Sequence, residues 1–167
     1  MAMPRLKKKF NEEVCPKLMT QFSLKNVMQL PKLQKITVNM GLGEFGKDAK
    51  MMQAAMEDLG RITGQRPVRR IAKVAVATFK LREGDPVGCS VTLRGDNMWH
   101  FLEKLVSVAC PRIRDFNGMK HGFDRRGNYS VGLQDQLIFP EIRPEKVSRQ
   151  QGMDVCMTIT GGSDEMS

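Results

Sequence analysis

Gly41-Leu-Gly-Glu-Phe-Gly46 is a literal G-x-G-x-x-G, and it is the stretch of the sequence that most resembles a phosphate cradle. In a dinucleotide-binding fold such glycines let the backbone approach a pyrophosphate seated on a helix N-terminus. A small nucleotide-binding enzyme using 41–46 is therefore the alternative to weigh. The strand before the motif argues against it. Strands of that fold are buried on both faces and almost continuously apolar, whereas residues 35–40 alternate. Where an acidic residue should hold a ribose, Arg69 and Arg70 stand instead. The glycines are expected to let the chain turn and approach a neighbour closely. Other catalytic signals are weak. His100 and His121 have no evident partners, there is no G-x-S-x-G, and no pair of carboxylates faces inward. Cys15, Cys89, Cys110 and Cys156 are scattered without metal-ligand spacing, and Cys110 reads as a small buried hydrophobe. No catalytic residue, metal or cofactor is expected.

Charge is the stronger signal. Residues 1–82 carry 17 Lys and Arg against 6 Asp and Glu, while residues 83–167 carry 10 against 12. The densest stretch, 61–82, holds Arg61, Arg66, Arg69, Arg70, Lys73, Lys80 and Arg82 with no acidic residue. A segment this self-repulsive calls for a polyanion, and phosphate backbone is the commonest one. A membrane surface fits less well, because the basic residues do not share one amphipathic helix. No run of about 18 apolar residues offers a membrane span. The charged N-terminus lacks an apolar segment behind it, so no secretion signal is expected, and scattered free cysteines suit a cytoplasmic protein.

The elements that must position these residues follow from periodicity. Leu6, Phe10, Val14 and Leu18 make an apolar stripe that predicts a helix over 4–20, with Pro16 bending or dividing it. Met52, Ala55, Met56, Leu59 and Ile62 predict a helix over 47–63; Met98, Phe101, Leu102, Leu105 and Val108 predict another over 97–109, stopped by Pro111. Strands are expected at 35–40, 67–72, 87–94, 129–133 and 153–160, with a mobile segment at 73–85 and a long loop at 112–128. No internal repeat or low-complexity linker is present. One domain over 1–160 and a flexible tail at 161–167 are expected.

Period-two alternation gives a strand one covered and one wet face. The fold class is therefore α+β: a mixed, mainly antiparallel sheet of about five strands, helices packed on one face, and an open polar face on the other. That face would display Thr37, Asn39, Ser90, Thr92, Arg94, Asp154, Thr158 and Thr160, with Ile159 turned inward. With one Trp and one Tyr, base stacking on an aromatic platform is a poor fit, and structured RNA met through phosphate and 2′-hydroxyl contacts is a better one.

Several long strings, in order along nearly the whole chain, carry a resemblance: KNVMQLPKLQKITVNMGLGE (25–44), LGRITGQRPV (59–68), FKLREGDPVGCSVTLRG (79–95), PRIRDFNG (111–118) and RGNYSVGLQDQLIFPEI (126–142). They resemble the bacterial-type large-subunit ribosomal protein L-five family. The resemblance implies a non-catalytic protein of the large subunit that binds 5S rRNA. It would help attach that RNA, with other 5S-associated proteins, to 23S rRNA at the central protuberance. Carried onto matching positions, it implies Asn39, Gln65, Thr92, Arg94 and Asp154 as 5S rRNA contacts; Thr37 and Ser90 on the expected open face and Arg66, Arg69 and Arg70 in the basic stretch are expected as further RNA contacts. It also implies that 73–85 reaches P-site tRNA through Lys73, Lys80 and Arg82, and that 112–128 faces a small-subunit head protein.

Overall fold

A computed structural model describes residues 3–113, 116–119, 123–124, 127–147 and 149–160. At the centre of the sheet is β1 (Lys32–Gly41), where Ile36, Val38 and Met40 are fully buried while Thr37 and Asn39 between them stay half-exposed. Five strands form one sheet in the order β2 (Val68–Ile71), β3 (Pro86–Leu93), β1, β5 (Met153–Thr160), β4 (Tyr129–Leu133). The α+β class and its five strands match the expectation from alternation and resemblance. Ile159 departs from it, being only half-buried.

The chain divides into two compact units, 37–92 with 132–155, and 1–36 with 93–131 and 156–167. In the first, α3 (Ala49–Thr63) buries Met52, Ala55, Leu59 and Ile62 of the stripe read from the sequence, while Met56 is half-buried. Asp48 caps it by accepting from the Lys50 amide at 2.9 Å, and Gly64 ends it at φ +68, a left-handed value that glycine adopts without penalty. The helix starts two residues later than predicted because 43–47 form a 3-10 turn.

The second unit contains α1 (Arg5–Lys9), α2 (Cys15–Gln21) and α4 (Gly95–Lys104). A π-helical turn, Phe10–Val14, joins α1 to α2, and another, Leu105–Ala109, follows α4. Each runs directly into a Cys-Pro pair, Cys15-Pro16 and Cys110-Pro111. Proline has no N–H to give and its ring collides with the carbonyl four residues back, so widening the preceding turn lets the chain stay helical. Pro16 therefore stands in the first turn of α2, divided from α1 by the π turn. Phe10 packs on Trp99 with ring centroids 5.6 Å apart. The Lys7 ammonium donates to Asp96 at 2.8 Å and holds that carboxyl below the usual range.

The 73–85 segment, expected to be mobile, carries local hydrogen-bonded structure. Ala72 N–H donates to Asp85 O at 2.8 Å, and Val76 and Leu81 pair as an isolated bridge around a 3-10 turn at Ala77–Phe79. The expected 112–128 loop has no helix among its described residues beyond Arg112, and Asp124 and Asn128 close a turn through mutual side-chain and backbone hydrogen bonds. His121, part of that loop, and the predicted tail at 161–167 lie outside the described residues.

Candidate nucleic-acid interface

The first unit holds four of the five principal candidates. Asn39 lies on β1 between buried Val38 and Met40; Thr92 on β3 between buried Val91 and Leu93; Asp154 on β5 between buried Met153 and Val155. All three therefore leave the sheet on the side away from its core. Their side chains make no hydrogen bond or ion pair among the described residues, and Asp154 is exposed. Gly132, on the neighbouring β4, leaves room beside it: a β-carbon there would lie 3.6 Å from the Asp154 carboxylate. Gln65, in the turn after α3, spends its amide N–H on Thr92 O at 3.3 Å, which ties that turn to β3 and leaves its own carbonyl oxygen outward.

Two close approaches hold the strands under this face. A β-carbon on Gly88 would fall 2.4 Å from Met40 O, and one on Gly46 would fall 2.3 Å from Pro86 O. Gly46 thus serves backbone packing. The helix N-terminus that a pyrophosphate would need is already capped by the Asp48 carboxylate. The G-x-G-x-x-G is a structural turn.

The edge strand sorts the arginines. β2 pairs antiparallel with β3, Val68 opposite Ser90, Arg69 opposite Cys89 and Arg70 opposite Gly88. Opposite residues share a face, so Arg70 joins Ser90 and Thr92, whereas Arg69 points to the side of buried Cys89 and away from them. Both arginines are exposed, as are Arg66 and Lys73, and none of the four is ion-paired among the described residues. Ser90 needs correction. It was expected on the open surface as an RNA contact, yet it is 3% exposed. Arg70 lies across it, donating from Nε to the Ser90 hydroxyl at 2.7 Å. Alternation assigned the face correctly but not what a neighbouring strand would lay over it. The bond occupies Nε, and no ion pair engages the guanidinium among the described residues. Ser90→Ala is expected to weaken RNA binding about twofold to fivefold by freeing Arg70, and to have no effect in an Arg70→Ala background; a double-mutant cycle checks this.

Arg94 is exposed and extended (φ −140°, ψ 166°), at the N-cap of α4. Thr37, on β1, is half-exposed. Lys73, Lys80 and Arg82 project from the 73–85 arm, and all are exposed. The cysteines carry no chemistry here: burial pushes the Cys89 thiol up to about 11 and raises Cys110 as well. Among the described residues no cluster of His, Cys, Asp or Glu could hold a metal ion, and no helix is long and apolar enough to cross a membrane.

Asn39, Thr92 and Asp154, whose side chains have no partner among the described residues, leave one sheet face beside a strand whose arginines form no ion pair there, an arrangement suited to a large polyanionic partner. The comparisons with known proteins give the family. Residues 26–82 match the family model described as ribosomal protein L5, and residues 86–167 match the model for the C-terminus of the same ribosomal family. The chain is 52% identical over 164 residues to the large ribosomal subunit protein uL5 of Thermobifida fusca (strain YX), covering 98% of this chain and 86% of that one. It is 51% identical over 164 residues to the protein of the same name from Clostridium botulinum (strain Loch Maree / Type A3), covering 98% and 91%. The chain belongs to the ribosomal protein L5 family. It is a structural constituent of the large ribosomal subunit and not an enzyme.

Proposed function

We propose that the chain binds 5S rRNA through its open sheet face and helps attach that RNA to 23S rRNA, in company with other 5S-associated proteins. The observation that carries this reading is the row of outward groups on Asn39, Thr92 and Asp154, which have no protein partner among the described residues and lie beside Gln65. Leaving hydrogen-bonding groups unsatisfied under a macromolecular partner costs about 1–3 kcal/mol each, so their partner must supply matching donors and acceptors. RNA does so. Asn39, Thr37 and the Gln65 carbonyl would meet ribose and phosphate, with Thr92 donating to phosphate and Arg94 pairing with it. Asp154 repels phosphate and would accept from a 2′-hydroxyl or a base amino group. Arg66 and Arg70 would add phosphate contacts along the basic edge. Arg69 faces the other way and would meet a different RNA segment.

The exposed arm at 73–85 would reach P-site tRNA through Lys73, Lys80 and Arg82, and 112–128 would form the bridge to a small-subunit head protein. Filter binding against 5S rRNA and unrelated tRNA at several salt concentrations tests the central claim. The expected result is a clear preference for 5S rRNA, with log affinity falling linearly in log salt as counterions are released. Equal affinity for both RNAs would leave only a general basic scaffold.

A further inference from the structure

The 73–85 arm has little to hold it in place. Residues 73–80 are all exposed, Val74 at 70% and Phe79 at 64%, so the arm buries no core of its own. An isolated two-stranded hairpin is marginal in water. In the arm Val76 and Leu81 exchange backbone hydrogen bonds at 3.0 and 3.1 Å, and Lys80 lies in the left-handed region at φ +51. A left-handed lysine is an uncommon conformation that needs outside support.

That support comes from the glycine-rich turn. The Lys47 ammonium donates to Lys80 O, at the tip of the arm, at 2.6 Å, and pairs with Asp85 Oδ2, at its base, at 3.0 Å. The same Asp85 oxygen accepts from the Arg82 amide at 2.9 Å. Lys80 Nζ lies 3.8 Å from Glu44, in the same turn, and Gly46 is seated against Pro86, the residue after the arm. One ammonium thus ties the tip of the arm to its base, and the turn that carries it abuts the strand where the arm ends. Exposed ion pairs contribute little to global stability, so the consequence of this arrangement is local.

We propose that the turn at 43–47 is a latch for the arm, and that Lys47 is its positioning residue. It holds residues 76–82 in the conformation that meets their partner, so that binding need not order the arm first. The functional half of this rests on the reading that the arm contacts tRNA; the structural half does not.

The test uses the full chain with Lys47→Met, Lys47→Arg and Asp85→Asn. In the free protein, amide exchange at Val76 and Leu81 is expected to quicken about threefold to tenfold in Lys47→Met and Asp85→Asn, while Val91 in β3 is unchanged. Lys47→Arg, which can still bridge a carbonyl and a carboxylate, should restore protection. In large subunits carrying Lys47→Met, tRNA should leave the P site several-fold faster than in those carrying Lys47→Arg. Unchanged exchange at Val76 and Leu81 in Lys47→Met overturns the latch, as does equal loosening of Val91. Faster exchange with unaltered tRNA release upholds the latch and rejects the tRNA reading.

Discussion

Leu59→Ala is expected to lower the stability of the chain by about 2–5 kcal/mol, the range for truncating a buried leucine. Leu59 is fully buried on α3, within the stripe formed with Met52, Ala55 and Ile62. Removing its side chain beyond Cβ loses the transfer free energy of those carbons and leaves a void in a close-packed core. At about 2–4 °C per kcal/mol for a chain of this length, the melting temperature should fall by on the order of 10 °C. Thermal unfolding followed by circular dichroism measures it. A fall of under about 2 °C, less than 1 kcal/mol on that scale, would mean that α3 does not carry the core that positions the sheet.

The second large effect concerns RNA. Thr92→Ala and Arg94→Ala should each weaken 5S rRNA binding by about 1–3 kcal/mol, but for different reasons that salt separates. Thr92 offers a neutral hydroxyl, so its loss should shift affinity equally at every salt concentration. Arg94 is an exposed cation without an ion-pair partner among the described residues, so its loss should also flatten the plot of log affinity against log salt by about one unit. A Lys7/Lys8/Lys9 triple substitution should matter less, because Lys7 is already paired with Asp96. Normal binding by both single variants alongside failure of the triple one would move the interface from the sheet to the N-terminal helix.

Much of this was legible in the residues themselves. Alternation in 35–40 and 153–160 named the faces of β1 and β5 because only one side of each strand is covered, and the outward positions of Asn39 and Asp154 followed. Alternation could not show that Arg70 would lie over Ser90, since that depends on the β2–β3 register, which pairs Arg70 with Gly88. The same register sets Arg69 opposite Cys89, so it is Arg69 and not Arg70 that points away from Ser90. Helical periodicity found the apolar stripe of α3 but not the π turns, since a single wide turn leaves the spacing on either side of it helical. The two Cys-Pro pairs were the available signal. The G-x-G-x-x-G pointed at a ligand because its spacing suits a phosphate, while its Gly46 answers to Pro86 and the neighbouring Lys47 to the arm.

The strand order has a consequence for how the protein is made. β5, the last strand to be synthesised, lies beside β1, the first, with more than a hundred residues between Asn39 and Asp154. Loop-closure entropy makes such pairings slow and leaves them until late. A nascent chain emerging from the exit tunnel therefore cannot complete its sheet until β5 has emerged. Truncated products would carry the arginines of β2 without the full surface they border, attracting nucleic acid without discriminating among its forms.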